Sequence, residues 1–434
     1  MANQFFHNKI SRAAYQFETA QAVNPGWAGT ENSIDHLVVG IDALKQFVAP
    51  NDVLHPSRAR QFRHRAPILG TRNVEVPISF YLHGVGAVTA IDAQVAQTAL
   101  MDLFVNGLGG VHRTYSRTIT AAADAHTITV SDVTGFEVGS AVAIEDTTSP
   151  TPFHTGKVFI REVVAIAADV LTLDEDLPFT PANGDVCHGA GVGHTDEAVL
   201  TDSSGAAGRT MSWWFEKHDA TNEIWELLGS RLELKLGAFS KNAPPTFEAM
   251  LKAPYFRHED LVAPAWTSVP EGFAPRAIGL GTTLSIRKWS TLLAPPTTIA
   301  SIHGASVEVE LGVPATPVET VTEAEQYMQG IAAWSFDAAI EAGIKIQVGS
   351  YDQAWSLGLQ EEALYSIRYQ LNAPAGAAWS IEMPVCRLIE FPTRGEVGPV
   401  GGTMLAFKAI ERDPDQGQGA DSELSRSNIR VVLA

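Results

Sequence analysis

The sequence predicts a mainly β protein with flanking helices (α+β), built as two tandem sheet-rich units plus an inserted small β-barrel domain. Two observations support this prediction. One weak pattern of strands and a helix occurs twice along the 434 residues, with little identity between the copies. A run of short β-branched segments separated by Gly, Pro and Asp interrupts the first copy alone, as expected of a small inserted barrel.

The two copies and the insertion predict five parts. The expected boundaries are an N-terminal arm at 1–70, a first unit at 71–114 and 194–290, an inserted β domain at 115–193, a second unit at 299–412, and a linker with a C-terminal strand at 413–434. A chain of this length can hold two or three domains, each with its own core.

The first copy opens with the alternating run at 74–82, which predicts a strand with one apolar face. Pro77 lies inside that run and indicates an edge position or a bulge, because proline has no N–H to donate. A stripe of apolar residues at helical spacing predicts a helix over 90–108. Further strands are predicted at 231–236, 246–254 and 283–286.

The second copy repeats this order in a shorter stretch. Strands are predicted at 306–311, 344–348, 379–386 and 404–407, with short helices at 322–330 and 337–342. The terminal run 429–433 predicts one more strand, which either returns to its own sheet or adds to the edge of a neighbour.

The insertion at 115–193 has its own strand pattern and no counterpart in the second copy. Strands are predicted at 126–130, 135–144, 161–166, 170–173 and 184–186. Exposed loops tolerate insertions, so we expect this domain to project from the outside of the molecule and to be dispensable for its assembly.

Composition limits the partners. The chain has 30 Lys and Arg against 49 Asp and Glu, a net charge of −19. Such a surface repels a phosphate backbone and argues against binding to anionic membranes. Two cysteines are too few for a disulfide framework, which favours a reducing compartment. We expect no signal peptide and no membrane helix, since no apolar run approaches the roughly 20 residues required.

The sequence predicts neither an enzyme nor a bound cofactor, because the motifs of nucleophilic, metal-dependent and phosphate-binding sites are missing from it. Cys187, His188 and His194 are the best metal candidates, yet the glycines between them favour an ordinary loop, and we predict no metal site. The acidic run 174–176 is expected to be solvated. The aromatic group at 213–215 with Trp225 is expected to pack in the core.

Two segments are predicted to make contacts between subunits. One is a basic cluster in this otherwise acidic chain, and the other is the C-terminal strand. The candidate contact residues are Arg58, Arg60, Arg63, Arg65, Ile429, Val431 and Leu433.

The order of these elements resembles the major tail tube proteins of long-tailed (siphovirus-type) bacteriophages. The resemblance rests on an arm containing 17–20, the polar stretch 56–60 before the strand at 73–82, and the Gly- and Pro-rich turn 398–402 before the strand ending at 409. It implies that each of the two tandem units is a β-sandwich with a flanking helix. It also implies a structural virion protein, assembled in the host cytoplasm, that polymerises into stacked rings around a channel. DNA passes that channel without specific binding.

The resemblance also implies partners. They are further copies of the chain and other tail proteins, such as the tape measure, terminator and baseplate proteins. If six units make a ring and each chain supplies two, trimeric rings follow. Two alternatives stay open at this point. One is another tail component, such as a terminator or baseplate protein, and the other is a carbohydrate-binding β protein.

Overall fold

The structure of this chain is a computed structural model. It describes residues 12–18, 32–33, 37–39, 52–53, 68–69, 74–82, 99–108, 115–147, 155–189, 192–194, 210–217, 223–239, 242–260, 276–279, 281–290, 296–299, 304–312, 315–319, 331–336, 341–348, 353–374, 377–397, 400–410 and 428–434. Within these ranges the protein is mostly β, as predicted, with antiparallel sheets and one closed barrel.

The elements before the insertion are β1 (Arg12–Phe17), β2 (Asn32–Ser33), β3 (Leu37–Val39), β4 (Asp52–Val53), β5 (Ile68–Leu69), β6 (Val74–Tyr81) and helix α1 (Ala99–Leu108). Those of the insertion are β7 (Tyr115–Ala122), β8 (Thr127–Val130), β9 (Ala141–Glu145), β10 (Val158–Ala167), β11 (Val170–Leu173), β12 (Val186–Gly189) and β13 (Val192–His194). After it come β14 (Met211–Lys217), β15 (Glu223–Phe239), β16 (Thr246–Ala253) and β17 (Tyr255–Asp260).

The second part of the chain contains β18 (Thr282–Lys288), β19 (Thr297–Thr298), β20 (Gly304–Gly312), β21 (Ala315–Glu319), β22 (Ile331–Phe336), β23 (Glu341–Val348), helix α2 (Gln353–Gln360), β24 (Leu364–Leu371), β25 (Trp379–Leu388), β26 (Thr393–Val397), β27 (Val400–Ala409) and β28 (Ile429–Leu433).

One connectivity occurs twice among these elements. The first part pairs in the order β3-β6-β16-β15-β14-β1. The second part pairs in the order β20-β23-β27-β25-β24-β18. All of these pairs are antiparallel. Along the chain, helix α1 follows β6 and precedes β14, and helix α2 follows β23 and precedes β24. In both series a helix therefore lies between the second strand and the fifth in sequence.

The likeness includes the smaller strands. β2 pairs with β1 as β19 pairs with β18. The two-stranded pair β4–β5 corresponds to the pair β21–β22. β17 lies on the first half of β15, as β28 lies on the first half of β25. We call the two series the first repeat (β1–β6, α1, β14–β17) and the second repeat (β18–β28, α2).

The element-by-element alignment predicted for the two copies is wrong. The sequence pattern matches 74–82 with 306–311, whereas the pairing makes β6 equivalent to β23 and β3 equivalent to β20. The first repeat therefore starts inside the predicted arm, and the second includes β18 and β28. Alternating burial records which face of a strand is covered, and it does not record which strand lies beside it.

The predicted strand at 74–82 is confirmed, and its side chains alternate between buried and exposed from Val74 to Leu82. Pro77 is opposite Met250 of β16, and it lies just outside the three residues that pair with β3. At Pro77, which has no N–H to donate, β6 therefore has β16 as its one described neighbouring strand.

The predicted first helix is confirmed over Ala99–Leu108; its predicted start at 90–98 lies outside the described residues. Three contacts attach it to the sheets. The hydroxyl of Tyr15 donates to Asp102 at 2.5 Å, and the N–H of Leu232 donates to Asn106 at 2.8 Å. A Cβ added to Gly107 would lie 2.7 Å from Leu234, so a glycine lets the helix approach β15.

The two helices predicted for the second copy are not observed as helices in the described residues. The stretch 322–330 lies outside the described residues. The stretch 337–342 overlaps β23, which begins at Glu341, so the helix prediction is wrong there. Helix α2 and strand β24 were not predicted. The sequence of β24 alternates apolar and polar residues from Tyr365 to Leu371, so the signal of a strand is present, although the structure buries every one of these side chains.

The two repeats share one hydrophobic core, which differs from the expectation of a core for each unit. A series of aromatic contacts crosses the boundary between them. Phe104 of α1 lies 5.3 Å from Phe247, Phe247 lies 5.8 Å from Phe239, and Phe239 lies 5.4 Å from Tyr369 of the second repeat, as measured between ring centroids. Strands β15 and β20 also pair directly, which joins both repeats into one sheet.

The predicted small β-barrel is confirmed. Strands β7 to β12 close in the order β10-β11-β8-β7-β12-β9 around a separate hydrophobic core. The barrel enters the chain after α1 and leaves it before β14, so it interrupts the first repeat alone. The exit strand β13 pairs with β28 of the second repeat.

Candidate functional site

The barrel lies on a polar face of the second repeat. In strands β18, β24, β25 and β28 the apolar residues face the shared core, and the alternate positions form a polar stripe on the other face. Directly opposed pairs place these side chains side by side: Ser285 with Arg368, Arg287 with Ser366, Gln370 with Ser380, Arg368 with Glu382, and Glu382 with Arg430. Nearly all of this stripe is buried.

Asp174 of the barrel is the centre of the buried charges. It follows β11, and its side chain is 1% exposed. Its Oδ2 atom accepts from Arg368 Nη2 at 2.8 Å and also contacts Arg287, while its Oδ1 accepts the N–H of Glu162 at 2.9 Å. The expectation that 174–176 is solvated is therefore wrong for Asp174, because the barrel turns this carboxylate towards the arginines. Asp176 remains 79% exposed.

Further charges extend the cluster across the sheet. Arg368 Nε donates to Glu382 at 2.6 Å. Arg430 Nη1 lies 3.5 Å from Glu162 of β10 and 3.9 Å from Glu382. We call Asp174, Glu162, Arg287, Arg368, Glu382 and Arg430 the buried charge cluster. Its members come from the barrel and from all four strands of the polar stripe.

The environment shifts the pKa of several of these groups. Burial alone raises the pKa of Asp174, but the positive charges of Arg287 and Arg368 outweigh it and hold the pKa well below its usual value. Burial and the neighbouring Arg368 lower the pKa of Arg161 to about 10. Arg161 donates to the carbonyl oxygens of Ile160, Glu175 and Asp176, and so fixes the turn that carries Asp174.

This cluster joins the barrel to the sheet through ion pairs. Truncating one member of a buried ion pair costs about 3–5 kcal/mol, because the remaining charge stays buried without its partner. A cluster with several partners for each charge also accepts few alternative geometries. The charges therefore fix the position of the barrel on the second repeat.

A cavity of about 440 Å³ opens beside the cluster, between the barrel and the sheet. Phe159, Leu284 and Ile299 form its apolar wall. Ser285 and Asn372 also line it. Their Oγ and Oδ1 atoms are buried and have no hydrogen-bond partner among the described residues. Cavities of roughly 300–1,000 Å³ hold small molecules in many proteins.

The metal candidates do not converge. Cys187 lies fully buried in the barrel core, and its neighbour His188 on the same strand points to the opposite face. Burial raises the pKa of Cys187 and lowers that of His188 to about 4. His194 belongs to β13, on another sheet. Across the described ranges, no three His, Cys, Asp or Glu side chains are grouped to hold a metal ion.

The aromatic group packs in the interior, as predicted. Trp213, Trp214 and Phe215 of β14 are almost fully buried, and Trp225 of β15 packs partly buried against the shared core. Trp214 Nε1 donates to the buried Glu226 at 3.0 Å. None of these four side chains forms an exposed stacking platform.

The predicted contact residues fall into two groups. The basic cluster Arg58, Arg60, Arg63 and Arg65 lies between β4 and β5, outside the described residues. Ile429, Val431 and Leu433 are fully buried in the shared core. Their strand β28 has β25 on one side and β13 on the other. The expectation that these three residues contact another subunit is therefore corrected, because the chain's own strands flank β28.

Open strand edges lie elsewhere. Among the described strands, β3 pairs with β6 alone and β26 pairs with β27 alone. Ile389 and Phe391, in the turn between β25 and β26, are 52% and 58% exposed. Neither helix in the described ranges has the length and apolar character needed to cross a bilayer.

Comparison with known proteins assigns no family. A scan against protein-family models finds no match, and a search of curated proteins finds no significant similarity.

Proposed function

We propose that this chain is a structural virion protein that polymerises into stacked rings forming the tail tube of a long-tailed bacteriophage. The observation that carries the proposal is the internal repeat. Two copies of one connectivity stand side by side and are joined edge to edge through β15 and β20 into one sheet. A unit that joins to its own copy in this way extends into a larger closed sheet when further chains are added.

The proposal includes the stoichiometry and the setting. Two tube units in each chain give a ring of three chains with a pseudo-sixfold appearance. The tube belongs to the virion and is assembled in the host cytoplasm. Its partners are further copies of the chain and the tape measure, terminator and baseplate proteins. The chain binds no cofactor and catalyses no reaction, and its buried charges serve to position the barrel.

Electron microscopy of the purified protein tests the proposal. We expect tubes with a regular axial repeat, and averaged end views should show three chains in each ring. Isolated rings that never stack would favour a terminator or baseplate protein. A monomer at all concentrations would contradict the proposal. Six full chains in each ring would contradict the use of two units per chain while leaving the tube intact.

A carbohydrate-binding role is the second candidate, and the cavity beside the cluster is the observation that favours it. The apolar wall formed by Phe159, Leu284 and Ile299 and the neighbouring polar residues Ser285 and Asn372 suit a ligand with both C–H and O–H faces. Titration with neutral monosaccharides tests this role. Ser285→Ala should weaken binding, and Ser290→Ala, at an exposed residue outside the cavity, should not.

A further inference from the structure

The junction between the repeats provides a template for contacts between chains. Residues Leu236 to Phe239 at the end of β15 pair antiparallel with Val307 to Glu310 of β20. This pairing crosses from the first repeat to the second inside one chain. It adds β20 to the side of β15 that β16 leaves open.

The repeat identifies the two strands that would form the same junction elsewhere. β3 is the equivalent of β20, because each pairs with the strand that precedes the helix of its repeat. β26 is the equivalent of the end of β15, because each forms a hairpin with the next long strand. Ala238 pairs with Thr246 near one turn, and Val397 pairs with Val400 at the other.

Both equivalents are edges in the described part of the chain. β3 pairs there with β6 alone, and β26 pairs there with β27 alone. In the junction inside the chain the corresponding edges are paired with each other. Edge strands present unpaired N–H and C=O groups, which bind another strand when one of suitable register is near.

We propose that β26 of one chain pairs antiparallel with β3 of the next chain, and that this contact reproduces the β15–β20 junction. The inference names the partner surface in the proposed ring and so rests on the proposed function. The contact is heterologous, since one chain offers β26 and its neighbour offers β3. A heterologous contact closes into a ring when the rotation that relates one chain to the next is a whole-number fraction of a full turn.

Equivalence of the two junctions has a consequence for the ring. Each chain contributes one β15–β20 junction and shares one β26–β3 junction with its neighbour. The ring then alternates between first and second repeats and has twice as many repeats as chains. Its sheet is continuous through every chain.

Engineered disulfides test the contact. Val38→Cys is combined in turn with Gly395→Cys, Glu396→Cys or Val397→Cys, which scans the register along β26. Residues opposite each other in antiparallel strands have Cα atoms about 4.5–5.5 Å apart, within the range that a disulfide spans. The native Cys187 and Cys386 are buried, so they should not compete.

Two controls accompany the scan. Ala238→Cys with Glu308→Cys, a pair already opposed in the chain, should form a disulfide inside one chain. The protein should then run as a single chain on the non-reducing gel. Val38→Cys with Asp176→Cys, an exposed position on the barrel, should form no specific product. At least one pair of the scan should give a ladder of linked chains on a non-reducing gel, ending at the closed ring.

The outcomes separate this inference from the proposed function. Tubes that assemble while no scanned pair forms bonds between chains overturn the β26–β3 contact and leave the tube assignment standing. Linked closed rings that never stack support the contact and argue against the tube. A chain that stays monomeric in every variant overturns both.

Discussion

Asp174 and Arg368 form a buried ion pair 194 positions apart in the chain, with Oδ2 and Nη2 separated by 2.8 Å. The carboxylate belongs to the inserted barrel and the guanidinium to β24 of the second repeat. The pair therefore links two parts of the protein that have separate hydrophobic cores. It acts together with the hydrogen bond from Val158 N–H to the Ala373 carbonyl and with apolar barrel residues that pack into the shared core.

Asp174→Asn should release the barrel from the sheet. The amide keeps the shape but removes the charge, so Arg287 and Arg368 are left buried without their main partner, at a cost of about 3–5 kcal/mol. Undocking rehydrates both arginines and limits that cost. Hydrogen exchange should rise in β10 and β24, with the interior of each core still protected. Asp176→Asn, at the exposed acid two residues away, should leave exchange unchanged.

Docking of the barrel should weaken in acid. The folded pKa of Asp174 is lowered, so its contribution to stability is present above the unfolded value of about 3.9 and declines as the pH falls below it towards the folded pKa. Protection factors in β10, which correct each exchange rate for the intrinsic slowing of exchange in acid, should therefore decrease from pH 7 to pH 3. Asp174→Asn should lack most of this dependence. An equal dependence in the variant would show that other groups cause it.

Removing the barrel should reduce the stability of the remaining chain less than the single Asp174→Asn change reduces that of the full chain. Deleting residues 117–190 and rejoining the ends with a short flexible linker exposes Arg287, Arg368 and Arg430 to water, which removes the burial of their charges. We expect the remaining chain to fold and, if the tube assignment holds, to assemble. Circular dichroism and electron microscopy measure both properties. A folded remainder that fails to assemble would show that the barrel is needed for assembly.

Phe239→Ala should destabilise both repeats together. Phe239 is 4% exposed and contacts Phe247 of the first repeat as well as Tyr369 and Trp379 of the second. A truncation of this kind costs about 3–5 kcal/mol. Denaturant unfolding followed at β14 and at β25 should shift equally at both probes. Phe391→Ala, at a 58% exposed position, is the matched control. A shift at one probe alone would contradict the shared core.

Assembled tubes should not retain duplex DNA at physiological salt. The chain has a net charge of −19, and an acidic channel wall would repel phosphates and let DNA slide. Sedimentation of tubes mixed with labelled duplex measures retention. Binding that weakens steeply with added salt would indicate a basic lining and would contradict this prediction.

Much of the strand content was predictable from local pattern, and the polar stripe shows the limit of that method. Alternation at 283–286 correctly predicts a strand, and it marks Ser285 as facing solvent. The structure buries Arg287 on the same face, because a domain inserted more than 90 positions earlier covers it, while Ser285 is half-buried and Thr283 is exposed. The acidic run at 174–176 looks the same in sequence at each position, yet Asp174 is buried against Arg287 and Arg368, Glu175 reaches Arg368 from a partly exposed position, and Asp176 remains exposed.

The sequence pattern predicts a repeat, but it matches the elements of the two copies incorrectly. Periodicity of apolar residues is a local property, and each strand of the chain expresses it whether its neighbour is β16 or β27. Hydrogen-bond partners are set by contacts distant in sequence, such as β6 with β16 and β23 with β27. The pairing of β1 with β14 and of β28 with β25 is likewise distant in sequence, and only such pairing shows that β1 and β28 belong to the repeats.

Residue pattern was sufficient for the β class, the inserted barrel and the first helix, because burial of one face leaves a period that neighbouring residues share. The tertiary structure was needed for the shared core, the buried charge cluster and the edges at β3 and β26. Each of these depends on which distant segments meet. A lysine, arginine or carboxylate has the same local signature whether water or another domain covers it.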